Sequence, residues 1–300
     1  NGSEIEIDRT QELEKIRANN SQALILSGVG GVGKTALVKK LFEQVKDKYP
    51  IYVFKANEFE LRNINEFFTS YTLQEFLAAH TDEKDKIIVV DSAEKLIDLK
   101  NTEPFKEFLS IFIKNNWKII FTTRDNYLED LNYELTQIYK IAPTYITLKG
   151  LDSKELRTIS EQNKFSLPKD DKLFDYIKNP FYLNEYLRFY TENQEISYIE
   201  FKNELWNRVI LKSKPAREQC FMKLASDRVN SGQFFINPNC ETQILDELRD
   251  DGIIGYESPH GYFIAHDIHE EWGLDKIVEA EFTRQTENKV FFENIGSTLP

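Results

Sequence analysis

Eight consecutive residues, Gly28-Val29-Gly30-Gly31-Val32-Gly33-Lys34-Thr35, lie between the apolar run Ala23–Leu26 and the helix-compatible stretch Ala36–Phe42. A strand, a glycine-rich loop and a helix in that order form the Walker A pattern, a backbone cradle for phosphate. Four glycines let the chain turn its N–H groups inward, where side chains with a Cβ would obstruct them. The start of the helix, from Lys34 through Ala36, adds its partial positive charge beneath the same phosphate. Lys34 is placed to reach the β- and γ-phosphates, and the Thr35 hydroxyl to ligate Mg²⁺. The pattern therefore predicts a nucleoside triphosphate or diphosphate as ligand.

At 300 residues the chain is long enough for two or three domains. Its start, Asn1-Gly2-Ser3-Glu4, has neither an initiator Met nor signal-peptide character and reads as the edge of an excised fragment. Two cysteines, Cys220 and Cys240, are too few for a disulfide framework and suit a reducing, cytoplasmic setting. A net charge of −12 opposes a broad electrostatic grip on nucleic acid. No apolar run approaches the ~20 residues that span a bilayer, so no membrane partner is expected.

Five short apolar runs alternate with helix-length stretches: Ala23–Leu26, Ile51–Phe54, Ile87–Val90, Lys118–Phe121 and Tyr145–Leu148. Such runs predict strands of a parallel sheet covered on both faces. The intervening helices are expected at Ala36–Lys46, Glu60–Ala79, Pro104–Asn115 and Tyr127–Tyr139, after a lead-in helix with Leu13 and Ile16 on one face. Beyond Gly150 helical spacing takes over, broken at Asn179-Pro180. From about residue 206 come a helix (Arg217–Val229), an extended Phe234-Phe235-Ile236, a second helix (Glu241–Asp250) and a hairpin around Pro259-His260-Gly261. Helix, helix and wing in that order predict a winged helix. The expected division is residues 1–22 as lead-in, 23–149 as nucleotide-binding domain, 150–205 as helical domain, 206–275 as winged helix and 276–300 as the start of a further element.

The run Lys86-Ile87-Ile88-Val89-Val90-Asp91 ends a buried strand in an acid, the Walker B pattern, and makes Asp91 the second Mg²⁺-orienting residue. Glu94, one turn on, is a candidate to orient or deprotonate the attacking water, the alternative being a solvated helix-start glutamate. The strand ending Thr122-Thr123-Arg124 would place donors beside the γ-phosphate if it lies between the P-loop and Asp91 strands. His260, His266 and His269 fit no compact zinc site with the two cysteines.

Taken together, Gly28–Thr35, Asp91-Ser92-Ala93-Glu94 and Thr122-Thr123-Arg124 resemble the STAND signal-transduction ATPases, the superfamily of the NACHT and NB-ARC nucleotide switches. Ile7-Asp8-Arg9 resembles the family's segment before the P-loop, which implies that Arg9 contacts the adenine side. Asn179-Pro180-Phe181 resembles the Gly-x-Pro motif, which implies that Pro180 packs on the nucleotide; here Asn179 stands in place of the first Gly. Ala265-His266-Asp267 resembles the Met-His-Asp motif, which implies that His266 reaches the β-phosphate of ADP; here Ala265 replaces Met. The acidic pair is closer to NACHT and the Thr-Thr-Arg to NB-ARC, so the subfamily stays open.

The resemblance implies an ASCE/AAA+-like P-loop α/β domain followed by helical and winged-helix domains. It implies an ATP/ADP switch with weak, self-resetting ATPase activity, using Mg²⁺, Lys34, Asp91, Glu94 and Arg124. Such a switch would control opening and self-oligomerisation of a larger signalling or defence protein, antiphage in bacteria, whose effector and sensor domains lie elsewhere in the polypeptide. The competing expectation is an AAA+/winged-helix ATPase acting on DNA. Its recognition helix would be Glu241–Asp250, whose acidic residues repel phosphate and make nucleic acid an unfavoured partner.

Overall fold

The computed structural model describes residues 5, 7–68, 70–190, 195–258, 260–285 and 287–298. The amino-terminal tetrapeptide and the hairpin residue Pro259 lie outside them. The chain divides into two compact units: residues 5–153 with 179–181, and residues 154–178 with 182–298.

The first unit is built on five parallel strands, β1 (Ala23–Ser27), β2 (Ile51–Lys55), β3 (Ile87–Asp91), β4 (Lys118–Thr123) and β5 (Thr144–Thr147), in the order β2-β3-β4-β1-β5. Side chains alternate across a strand, so β1 sends Ala23 and Ile25 to one face and Leu24 and Leu26 to the other. The Leu24 face is covered by α1 (Thr10–Ala18), through Leu13 and Ile16, and by α2 (Lys34–Val45), through Leu37, Val38, Leu41 and Val45. The Ile25 face is covered by α3 (Leu73–Ala79), α4 (Glu103–Lys114) and α5 (Leu128–Tyr133) over an aromatic cluster of Phe59, Phe105, Phe108, Phe112 and Trp117.

Two expectations need correction. Double-sided burial holds for β1, β3 and β4, whereas β2 and β5 are the sheet edges and expose alternate or most residues, Tyr145 included. In place of the expected helix Glu60–Ala79 stand one 3₁₀ turn, Ile64–Phe67, and the short α3, with a further 3₁₀ turn, Ala56–Phe59, just before them. Local caps divide it: the Asn63 side chain accepts from the Asn65 N–H, and Thr72 and Glu75 form a reciprocal capping box that starts a new helix. Packing of Phe54, Phe59, Phe67 and Phe108, with ring centroids 4.8–6.1 Å apart, overrides the apparent helical period.

The second unit carries α6 (Ser153–Asn163, entering from the first unit at Ser153), α7 (Asp171–Tyr176), α8 (Pro180–Phe189, in this unit from Tyr182 on), α9 (Tyr198–Trp206), α10 (Pro215–Ser231) and α11 (Thr242–Asp250). The antiparallel hairpin β6 (Ile254–Glu257) and β7 (Gly261–Ile264) follows, then α12 (Asp267–Arg284) and α13 (Asn288–Thr298). Ile236 bridges to Tyr262 and so adds a third extended segment to the hairpin. Arg217 is buried and neutralised by Asp251 at 2.7 Å, with the Ile210 carbonyl accepting from its Nε at 2.9 Å.

α12 is tied to α8 where the Trp272 indole N–H donates to the Tyr182 hydroxyl at 3.0 Å. His269 is buried beside Trp272, and burial, reinforced by the charge of His266, pushes its pKa down to about 4 from an ordinary 6.5. Folding therefore disfavours protonation. The stability gained from a neutral His269 is intact above pH 6.5 and is lost as pH falls through 6.5 towards 4, a span equivalent to about 3 kcal/mol. Urea unfolding at pH 7 and pH 4.5 should show wild type losing more stability than His269→Phe; equal losses would remove His269 as the cause.

Candidate nucleotide site

β1 ends at Ser27, and its neighbour across the sheet edge holds it in place: the Ser27 and Thr147 hydroxyls lie 2.9 Å apart, and the Leu148 N–H donates to the Ser27 carbonyl at 2.8 Å. The chain then turns sharply through Gly28. A Cβ built there would stand 2.7 Å from the Leu148 carbonyl oxygen and 2.8 Å from Val32 Cγ1, so only glycine fits. Gly28→Ala is expected to cost about 2 kcal/mol by overpacking the β1–β5 edge, read as a fall in thermal midpoint. An unchanged midpoint would show that the edge yields freely.

Gly31 and Gly33 adopt positive φ, 74° and 103°, and Gly33 is the N-cap of α2 with no side-chain cap. The first N–H groups of a helix lack intrahelical acceptors, so this uncapped start at Lys34, Thr35 and Ala36 is a ready anion site. Thr35 and Ala36 are exposed there, Val29 projects outward at 51% exposure and Val32 is packed inside at 1%. The Lys34 ammonium donates to the Gly28 carbonyl at 2.6 Å and the Val29 carbonyl at 3.2 Å, stretched across the mouth of the loop.

β4 pairs with β1 on one side and β3 on the other, so the Thr122-Thr123-Arg124 terminus does lie between the P-loop strand and the strand ending in Asp91. The Thr122 hydroxyl donates to Asp91 Oδ1 at 2.5 Å and accepts from the Ser92 N–H at 3.0 Å. Asp91 is thereby oriented from the neighbouring strand, an arrangement that sequence reading missed. Ser92 takes a left-handed conformation (φ 58°) and turns the chain into the 3₁₀ helix Ala93–Asp98, on whose first turn Glu94 is buried. Arg124 is also buried, its guanidinium 5.8 Å from the Tyr127 ring.

Residues 20–156 match the protein family described as "AAA domain". The first unit has the P-loop NTPase fold of the AAA+ type. No curated protein sequence matches this chain significantly. Among solved structures the chain is similar to the ORC2 protein of Aeropyrum pernix in ADPNP–ADP complexes (15% identity, TM-score 0.45, covering 94% of this chain and 96% of that one). It is similar to the STAND protein PH0952 of Pyrococcus horikoshii, which has a tetratricopeptide repeat sensor (17% identity, TM-score 0.42, covering 95% of this chain and 46% of that one). A third likeness is to RuvB T158V of Thermotoga maritima (14% identity, TM-score 0.39, covering 87% and 90%).

The donors of the first unit fit Mg²⁺-nucleotide: a glycine cradle, a helix start, one ammonium, and the oxygens of Thr35 and Asp91. Among the described residues there is no cluster of three or more His, Cys, Asp or Glu side chains that could hold a metal on their own. Mg²⁺ bound by phosphate, a hydroxyl, one carboxylate and water needs none.

The remaining sequence-derived candidates divide between the units. Arg9, N-terminal to α1, donates to the Lys149 carbonyl at 2.9 Å, just past β5, and pairs with Glu12 at 3.5 Å. Residues 179–181 belong to the first unit, where Asn179 Nδ2 donates to the Gly30 carbonyl at 2.7 Å and carries Pro180 to the P-loop. His266 is an exposed residue of the second unit, at the N-cap of α12 with its ring centroid 5.4 Å from that of His269. Among the described residues no helix is long and apolar enough to cross a membrane.

Proposed function

We propose that this chain is a nucleotide-dependent regulatory switch of the STAND kind, the central module of a larger cytoplasmic signalling or defence protein. The observation that carries the reading is the seat of residues 179–181 on the P-loop: a segment remote in sequence contacts the phosphate cradle itself. A metabolic phosphotransferase has no need of such a contact, whereas a switch requires one.

In this reading the ATPase domain binds ATP or ADP with Lys34, Thr35 and Asp91 around the phosphates and Mg²⁺. Arg9 and Pro180 face the base side, and Arg124 senses the γ-phosphate. Glu94 directs water for slow hydrolysis. Residues 150–205 act as the helical domain, 206–275 as a winged helix whose His266 reads the β-phosphate of ADP, and 276–300 as the beginning of a further element. ADP holds the module closed; exchange for ATP releases it to open and self-assemble.

The test is nucleotide carry-over. Protein purified without added nucleotide should contain near-stoichiometric ADP, and His266→Ala should release it faster. Protein free of ADP, with His266→Ala leaving ADP affinity unchanged, would defeat the clasp. A DNA-acting ATPase would instead bind DNA with a steep salt dependence. The charges on α11 disfavour that: Asp246, Glu247 and Asp250 outnumber Arg249.

A further inference from the structure

The P-loop peptide between Gly30 and Gly31 is held from outside. Asn179 Nδ2 donates to the Gly30 carbonyl at 2.7 Å, across 149 positions of sequence. The Phe181 N–H is shared between Asn179 Oδ1 at 3.0 Å and the Gly31 carbonyl at 3.3 Å. Two successive P-loop carbonyls thus have partners in one three-residue segment, and one carboxamide serves both ends of it.

Peptide planarity gives this contact a consequence. The Gly30 carbonyl and the Gly31 N–H belong to one trans peptide and point in opposite directions. Fixing the carbonyl towards Asn179 fixes the Gly31 N–H on the opposite side. Glycines on both flanks make rotation of that peptide inexpensive, since neither has a Cβ to resist it, and Gly31 already sits at φ 74°. The loop therefore supplies little of its own rigidity at the point where its N–H direction matters.

We propose that Asn179 is a positioning residue for phosphate binding: its carboxamide sets the orientation of the Gly30–Gly31 peptide and so presents the Gly31 N–H to the nucleotide phosphate. The proposal rests on the P-loop being the nucleotide site. It also means that withdrawal of residues 179–181 would loosen the phosphate site, linking nucleotide release to movement of the segment that bears Pro180.

Asn179→Asp separates this role from a structural one. The aspartate keeps an oxygen for the Phe181 N–H and so preserves the start of α8, but it has no donor for the Gly30 carbonyl and repels it. Dissociation of a fluorescent ADP analogue with Mg²⁺ should be at least about tenfold faster in Asn179→Asp than in wild type. Its thermal midpoint without nucleotide should fall less than that of Asn179→Ala, which loses both hydrogen bonds. Asn179→Ala should speed dissociation and lower the midpoint as well. Asn179→Asp dissociating at the wild-type rate would overturn the clamp while leaving the nucleotide site standing. Wild type that binds no analogue, no differently from Lys34→Ala, would defeat the P-loop reading and the clamp together.

Discussion

Lys34→Ala is expected to weaken ADP and ATP binding by about a hundredfold or more, because the ammonium is the donor of the charge-assisted hydrogen bonds to phosphate, each worth about 1.5–3 kcal/mol. In this structure the ammonium spans the Gly28 and Val29 carbonyls at 2.6 and 3.2 Å, so it is already positioned over the loop before any phosphate arrives. Its removal takes away the cation that offsets phosphate charge. It also frees two carbonyls to turn towards the site. Titration calorimetry with ADP and Mg²⁺ measures the loss directly. The sheet does not depend on Lys34, so the thermal midpoint without nucleotide should move little. Wild-type affinity in Lys34→Ala would mean that phosphate binds elsewhere.

Glu94→Gln should slow single-turnover ATP hydrolysis by about a hundredfold or more, the range for loss of a general base, while leaving ATP affinity within a factor of about two. The substitution is nearly isosteric, so it removes charge and basicity without disturbing packing at a site only 7% exposed. The left-handed turn at Ser92 and the Thr122 bridge keep Asp91 and the following turn at the end of β4. Equal hydrolysis rates in wild type and Glu94→Gln would leave the acid with a structural role. The module would then be a binding switch reset by exchange alone.

What could be read from the linear chain was whatever depends on neighbours in sequence. The loop Gly28–Thr35 is contiguous and its chemistry local, so its place after β1 and before α2 needed no long-range information. Asp91 was legible because an apolar run ending in an acid marks a buried strand emerging into solvent. The failures share one cause. Glu60–Ala79 has helical apolar spacing, yet the caps at Asn63 and Thr72 and a cluster of phenylalanines from three other elements divide it. β5 reads as apolar but lies at an edge, and edge or centre is a property of strand order.

The sequence alone determined that a glycine-rich loop joins β1 to α2 and which strands frame it, and it singled out Lys34, Thr35 and Asp91 as the residues expected around phosphate. Each of those features is set by a few adjacent residues. Only the tertiary structure decided how the cradle is held. The Thr122 hydroxyl orients Asp91 because β4 inserts between β1 and β3. Asn179 reaches Gly30 because the fold returns a segment 149 positions away to the loop. Hydrogen bonds act over about 3 Å, and that proximity is created by strand order and chain return, neither of which a local pattern encodes.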